Sequence, residues 1–397
     1  MTSRKLKVSI EEQKAMIEYL DWLDAARLNG VVKRGLLKYY EDDLDNFYTV
    51  KFNGEDVTLP VFTKKNWLDL DGGLNDYLNN VSHSRATNYH SETIAGIAQE
   101  MYVRKRGKEH WNEPAFFTLE NVLWNGGASR VSGLDEGNVS VSVEETDFYS
   151  YVSVQERLLR EFHSALQSKS ITQPQELDSV QFNGSTHHRD KIAASFEDVM
   201  DWDNHIHKVS PVCLLAIEQE GGGPIVYFVQ RSLDVLHEPN AISTVPAGEV
   251  NPDSYSSVDF EQSIVREFVE ELFGVTYERQ PELGENSEIE RRMRSHVSSG
   301  SISIERTSFG LVADAPRPCF SGLVYVSDPS VGQWIRHQLQ TNWEISQLRR
   351  VELPLDGVPE VMKNRITSTP GLFTFIEGLR RLEKKGADTG LELELQM

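Results

Sequence analysis

Residues 266–275 read Arg-Glu-Phe-Val-Glu-Glu-Leu-Phe-Gly-Val, and they hold the densest chemistry in the chain. Glu267, Glu270 and Glu271 stand at i, i+3 and i+4, which places three carboxylates on one face of a helix. Carboxylates that close repel one another unless positive charge sits between them. A hard divalent cation suits such a set, because Mg2+ takes oxygen ligands and keeps waters for a phosphate substrate. Mn2+ fits the same all-carboxylate cluster, and zinc fits it less well. The other face carries Ile264, Val265, Phe268 and Leu272, which predict packing into a core. The plainest competing reading is a solvated surface helix in which Arg266 and Glu270 form an i, i+4 pair, worth a few tenths of a kcal/mol, roughly.

The segment resembles the signature helix of the Nudix family, with Arg266, Glu267, Phe268, Glu270 and Glu271 filling the charged core of that motif. The family's closing glycine slot holds Phe273, and Gly274 follows one residue late. Counting back from Arg266, the family's outer glutamate falls on Val258 and its opening glycine on Pro252. A better glycine approach is Val245-Pro246-Ala247-Gly248-Glu249. Gly248 lies 18 residues before Arg266 (266 − 248), four more than the family spacing, so the connecting loop is lengthened around 251–254. The outer glutamate is replaced by Asp259 or Glu261, or is absent.

The resemblance implies a metal-dependent hydrolase of phosphoanhydride bonds. It implies Glu267, Glu270 and Glu271 as ligands of Mg2+ or Mn2+, the Gly248 carbonyl as an extra ligand, and Arg266 as the residue that orients the carboxylates. Glu344, in Asn342-Trp343-Glu344-Ile345, is a candidate for the late acidic residue some members use as base or ligand; its alternative is a surface acid. Arg231 follows a strand whose end lines the family's cleft, and a guanidinium offers a bidentate fork to phosphate. Arg317, in Ala315-Pro316-Arg317-Pro318, is a second candidate for the substrate.

Elements must surround this helix to hold it. Two apolar strand-like runs, 209–217 and 224–229, precede it, and 301–306, 311–313 and 320–326 follow. A closing segment at 342–354 and a last helix at 371–382 complete the order. The expected fold class is α+β or α/β: a Nudix-type α/β/α sandwich with a mixed sheet over 205–385, and an N-terminal mixed α/β unit of unrecognised type over 1–170. Residues 171–204, which begin Ser-, Gln- and Pro-rich, read as a linker or long connection, and 386–397 as a polar tail. Within the N-terminal unit, Ser9-Ile10-Glu11-Glu12 is a capping box opening a helix to about residue 28. A strand pair around 46–61 turns at Asn53-Gly54. Further helices are expected over 31–40, 153–166 and the second half of 78–104, and a strand over 139–143.

Composition narrows the partners. Acidic residues outnumber basic ones, 61 to 40, in 397 residues, for a net charge of −21. That field repels phosphate backbones and argues against nonspecific nucleic-acid binding and against anionic membranes. It allows a small phosphorylated or nucleotide ligand held locally by metal and arginine. The two cysteines, Cys213 and Cys319, predict small buried hydrophobes rather than a disulfide framework or a zinc site. No apolar run has the length of a membrane span, so a soluble cytoplasmic protein is the expectation. His205-Ile206-His207 places two imidazoles on one strand face without the further ligands a zinc site needs, and His187-His188-Arg189-Asp190 is weaker still. Gly221-Gly222-Gly223 reads as a hairpin turn.

Three functions remain at this level: a hydrolase whose N-terminal unit shapes the cleft, sets specificity or makes a homodimer; a Nudix-fold nucleotide sensor with little or no turnover, coupled to the N-terminal unit; and an interaction scaffold.

Overall fold

A computed structural model describes residues 6–86, 91–106, 115–117, 127–182, 186–202, 207–233, 235, 238–248, 250, 259–275, 288–356 and 367–396. Strand β1 (Leu6–Val8) leads into helix α1 (Ile10–Leu28). The capping box is formed: the Glu12 N–H donates to the Ser9 hydroxyl at 3.1 Å and the Ser9 N–H to the Glu12 carboxylate at 2.7 Å. Helix α2 (Val31–Tyr39) is followed by the hairpin of β2 (Phe47–Phe52) and β3 (Glu55–Phe62). Its two turn residues, Asn53 and Gly54, both have positive φ (48° and 88°), the backbone a two-residue hairpin needs. Then come β4 (Leu78–Ala86), α3 (Ser91–Arg106), β5 (Ala115–Phe117), β6 (Gly127–Asp135), β7 (Ser140–Asp147) and α4 (Phe148–Ser168).

The span 171–204 contains the short helices α5 (Arg189–Ile192) and α6 (Phe196–Val199) and packs closely, where a linker was expected. Its anchor is Arg189, which is fully buried. The guanidinium donates to the Asp314 carbonyl at 2.6 Å, to the Tyr40 hydroxyl at 3.0 Å and to the Ala313 carbonyl. A buried cation is stable here because it satisfies carbonyls that would otherwise be stranded.

The C-terminal part runs β8 (His207–Lys208), β9 (Pro211–Ile217), β10 (Ile225–Arg231), β11 (Ile242–Thr244), α7 (Phe260–Phe273), α8 (Glu288–Ser298), β12 (Ile302–Val312), β13 (Arg317–Val326), α9 (Pro329–Gln338), β14 (Ile345–Glu352), α10 (Thr369–Lys384) and β15 (Leu393–Leu395). The triglycine segment is the β9–β10 hairpin turn.

The main sheet is mixed, with order β11-β10-β9-β13-β12-β3-β2-β15 and β14 paired to β10. β9 and β13 run parallel; the other pairs are antiparallel. Alternation along β9 sends Cys213, Leu215 and Ile217 to the side of α7, and Leu214 and Ala216 to the side of α10. Ile225, Tyr227 and Val229 of β10 join the first core, and Val226 and Phe228 the second. The result is a sheet between two helical layers, in a mixed α+β fold. Both cysteines are buried and free.

Two boundaries differ from the sequence reading. The sheet passes through the division expected at residue 170, because β3 pairs with β12 at Leu311↔Phe62 and Val312↔Val61. The tail is an edge strand, with Leu393, Glu394 and Leu395 opposite Phe52, Lys51 and Val50. Short apolar stretches such as Val50, Phe52, Val61 and Phe62 reveal burial but not their partners. A separate four-stranded sheet has the order β4-β7-β6-β8, so it too takes a strand from beyond residue 205. No described helix is long and apolar enough to cross a membrane.

Arg189→Ala should lower stability by about 3 kcal/mol, because it strands buried carbonyls and leaves a cavity. Urea denaturation followed by tryptophan fluorescence checks this; an unchanged midpoint would remove Arg189 as the anchor of 171–204.

Candidate functional site

Helix α7 is positioned from its ends. Asp259 is its N-cap and accepts from the Gln262 N–H at 2.8 Å. Gly274 closes it in the left-handed region (φ 67°), which explains why a glycine stands one residue after the slot held by Phe273. Phe260, Ile264, Phe268 and Leu272 pack into the core beneath the sheet. Asp259 is therefore committed to capping, and it lies ~12 Å of helix rise from Glu267. Glu261 turns toward Gly73, where an added Cβ would sit 2.5 Å from its carboxylate. Neither residue stands beside the three helix carboxylates.

The 245–248 turn clamps the other side of the helix. The Cys213 N–H donates to the Pro246 carbonyl at 2.9 Å, and the Gly248 N–H to the Pro211 carbonyl at 3.2 Å. These bonds fix the turn to β9. The Ala247 N–H then donates to the Glu271 carboxylate at 3.0 Å. Gly248 lies so close to the helix that an added Cβ would fall 1.9 Å from Cγ of Glu267. Only glycine fits there. Its carbonyl accepts from the Ser210 hydroxyl at 2.8 Å and retains a second lone pair.

Strand pairing supplies the facing wall. β10 and β14 bring Arg231 opposite Ile345, and the Ser232 N–H donates to the Glu344 carbonyl at 2.7 Å. Glu344 is thus tied beside Arg231. Both act on the helix carboxylates: burial first, then the Glu344 charge, raises Glu271 from 4.5 to about 8, while the Ala247 N–H and Arg231 pull it down. Glu267 is raised as well, by burial and then by the charges of Glu270 and Glu271. Arg266 meets Glu270 at 3.3 Å, the i, i+4 pair that a plain surface helix would also make.

Arg231 and Arg317 differ in availability. Arg231 makes no side-chain hydrogen bond or ion pair among the described residues, and its Nε is enclosed without a partner. Arg317 is committed to Asp314 at 3.1 Å and Glu238 at 3.5 Å. It reaches the site only through its charge, felt at Lys208. His205 lies outside the described residues. His207 is buried with Nδ1 2.9 Å from the Pro316 carbonyl, and His188 and Arg189 dock on Glu161 through their N–H groups.

Lys208 was not anticipated. It is buried, with Nζ 5.1 Å from the Tyr151 ring, and burial pushes its ammonium down to about 7 against the pull of Glu267 and Glu344. Its position at the foot of the apolar run 209–217 was the available signal, since a lysine inside a buried strand needs a counter-charge. The Ala247 N–H had no signal, because backbone donors leave no trace in side-chain pattern.

No protein-family model matches the chain, and a search of curated proteins finds no relative. The site therefore stands on its geometry. Among the described residues, no three His, Cys, Asp or Glu side chains converge tightly enough to cage a metal ion as they stand. The donor set still fits Mg2+ or Mn2+ in kind: hard carboxylate oxygens, held in a buried place that disfavours their ionisation, with Gly248 in close contact with Glu267. Arg231, Glu344, Lys208 and the helix carboxylates influence one another's charge and so form one electrostatic neighbourhood.

The raised Glu271 carboxyl has a direct consequence for stability. The folded chain keeps a proton that the unfolded chain releases near 4.5, so this contribution is full below that value and is lost as pH rises through about 8. In EDTA, the urea midpoint should fall between about pH 5 and about pH 8. Glu271→Gln, neutral at every pH, should flatten much of that fall; an equal slope in the variant would contradict the assignment.

Proposed function

We propose that the protein is a Nudix-type, Mg2+- or Mn2+-dependent pyrophosphohydrolase acting on a nucleoside-diphosphate-linked substrate. The observation that carries this reading is that Glu344 and Arg231, from the β10–β14 pair, act electrostatically on the buried Glu271 beside Glu267 on one face of α7, with Nε of Arg231 enclosed without a partner. Glu267, Glu270 and Glu271 would hold the ion, with the second lone pair of the Gly248 carbonyl available beside them. Such an ion, when bound, neutralises charge on a diphosphate and makes a bound water a better nucleophile.

The protein's own groups supply the rest. Arg231, without a side-chain partner among the described residues, could turn its fork to two oxygens of one phosphate. The Arg266–Glu270 pair keeps one carboxylate from swinging away. Ala247 holds one oxygen of Glu271, so that carboxylate is presented in a single orientation. Water attacks phosphorus, the bridging oxygen leaves, and the proton released passes to a nearby base. Glu344 and Lys208 would take part, Lys208 because burial pushes its ammonium down to about 7.

A second reading has its own support. Asp259 is used up as a helix cap, and Val258 and Pro252 occupy the outer motif positions, which favours a nucleotide sensor with weak turnover.

Hydrolysis should be assayed over nucleotide sugars, dinucleotides, nucleoside triphosphates and ADP-ribose with Mg2+ and Mn2+. The expected result is metal-dependent turnover, reduced on the order of 10²–10³-fold by Glu271→Gln. Arg231→Ala should weaken kcat/KM by about tenfold or more, as expected for loss of a charged hydrogen bond. Metal or nucleotide binding without turnover would replace the hydrolase with the sensor. Absence of both would return α7 to a surface helix.

A further inference from the structure

A cavity of ≈ 220 Å³ lies between the N-terminal helices and the loops of the main sheet. On one side are α1, α2, α3 and α4; on the other are the 238–241 turn, the β12–β13 turn and the start of α10. The buried Leu23 and Leu36, with Leu159, give it an apolar lining, and charged side chains line much of the rest.

The charges divide into matched and unmatched groups. Glu100 is held by Arg104 and by Arg160 at 2.5 Å, and Glu156 faces Arg160 at 3.7 Å. Glu238 and Asp314 are held by Arg317. The acids of the rim are therefore largely answered. Several donors are not. Arg27 has no side-chain hydrogen bond or ion pair among the described residues. Arg104 is only 10% exposed, yet its Nη1 is enclosed with no partner, and Nε of Arg317 is in the same state. Lys33 donates one N–H to the Thr367 carbonyl and has two more to offer. Enclosed donors without acceptors are costly unless something fills their hydrogen bonds. Two guanidinium groups and an ammonium together suit the charge and the oxygens of a phosphate better than a single carboxylate. The leucine floor asks for an organic body attached to it.

We propose that this cavity binds a small organic phosphate, with Arg27 and Arg104 as its anion-binding residues and Lys33 in support. The site is distinct from the carboxylates of α7 and does not require turnover there.

Calorimetric titration of the full chain in EDTA with AMP, ribose 5-phosphate and inorganic phosphate tests the proposal. AMP or ribose 5-phosphate should bind saturably and more tightly than inorganic phosphate, and added NaCl should weaken binding. Arg27→Gln should weaken it about tenfold or more, the scale of one charged hydrogen bond, with the chain still folded; the urea midpoint is read alongside, because the Arg27 charge also eases the buried Glu238 carboxylate. Arg104→Lys, which keeps the charge near Glu100 but not the fork, should weaken it as well. Glu271→Gln should leave it unchanged. Binding that is lost in Glu271→Gln but kept in Arg27→Gln would place the ligand at the carboxylates and overturn the proposal. So would the absence of saturable binding by all three phosphates. Intact phosphate binding in a chain that shows no hydrolysis would reject the hydrolase and leave this site standing.

Discussion

Glu267 and Glu271 are one helical turn apart with their carboxyl groups withdrawn from water, so each disfavours the charge of the other across a medium that screens poorly. The surroundings can be understood as answers to that repulsion. The Ala247 N–H and Arg231 ease Glu271, Arg266 eases Glu267 and pairs with Glu270, and Lys208 lies within reach of Glu267. The answers are partial, since both carboxyls stay above their usual range.

The turn that clamps α7 joins this electrostatics to the sheet. Cys213 and Pro211 of β9 hold Pro246 and Gly248, and Gly248 in turn touches Glu267. β9 lies between β10 and β13, an interior position in the sheet with a partner on each side. Displacement of the carboxylates therefore requires either a change in the turn or a rotation of side chains about a fixed backbone. Side-chain rotation is the cheaper of the two, and it is the motion an arriving ion would need.

Much of the site was legible from residue types and spacing. The i, i+3, i+4 glutamates, the glycine turn and Arg231 all sit together, because helical periodicity and turn chemistry are local properties of the chain. Glu344 joined them through the β10–β14 register, which the sequence suggested only by order. The fold was less legible where partners are remote. Val61 and Phe62 read as any apolar strand, yet they lie against β12 across the presumed boundary. The span 171–204 looked like a linker by composition, but one buried arginine makes it part of the core. Long-range pairing and backbone donors such as the Ala247 N–H leave no periodic mark, so the sequence carried no sign of them.

The junction of β3 with β12 also bears on how the chain reaches its native state. Phe62 and Leu311 are partners although 249 residues separate them (311 − 62), so this step closes a very long loop and comes at a high entropic cost. Until it closes, the β2–β3 hairpin and β12 each present an unpaired apolar edge. Such edges invite pairing with another chain, and the interval before closure is when this protein is most exposed to misassembly.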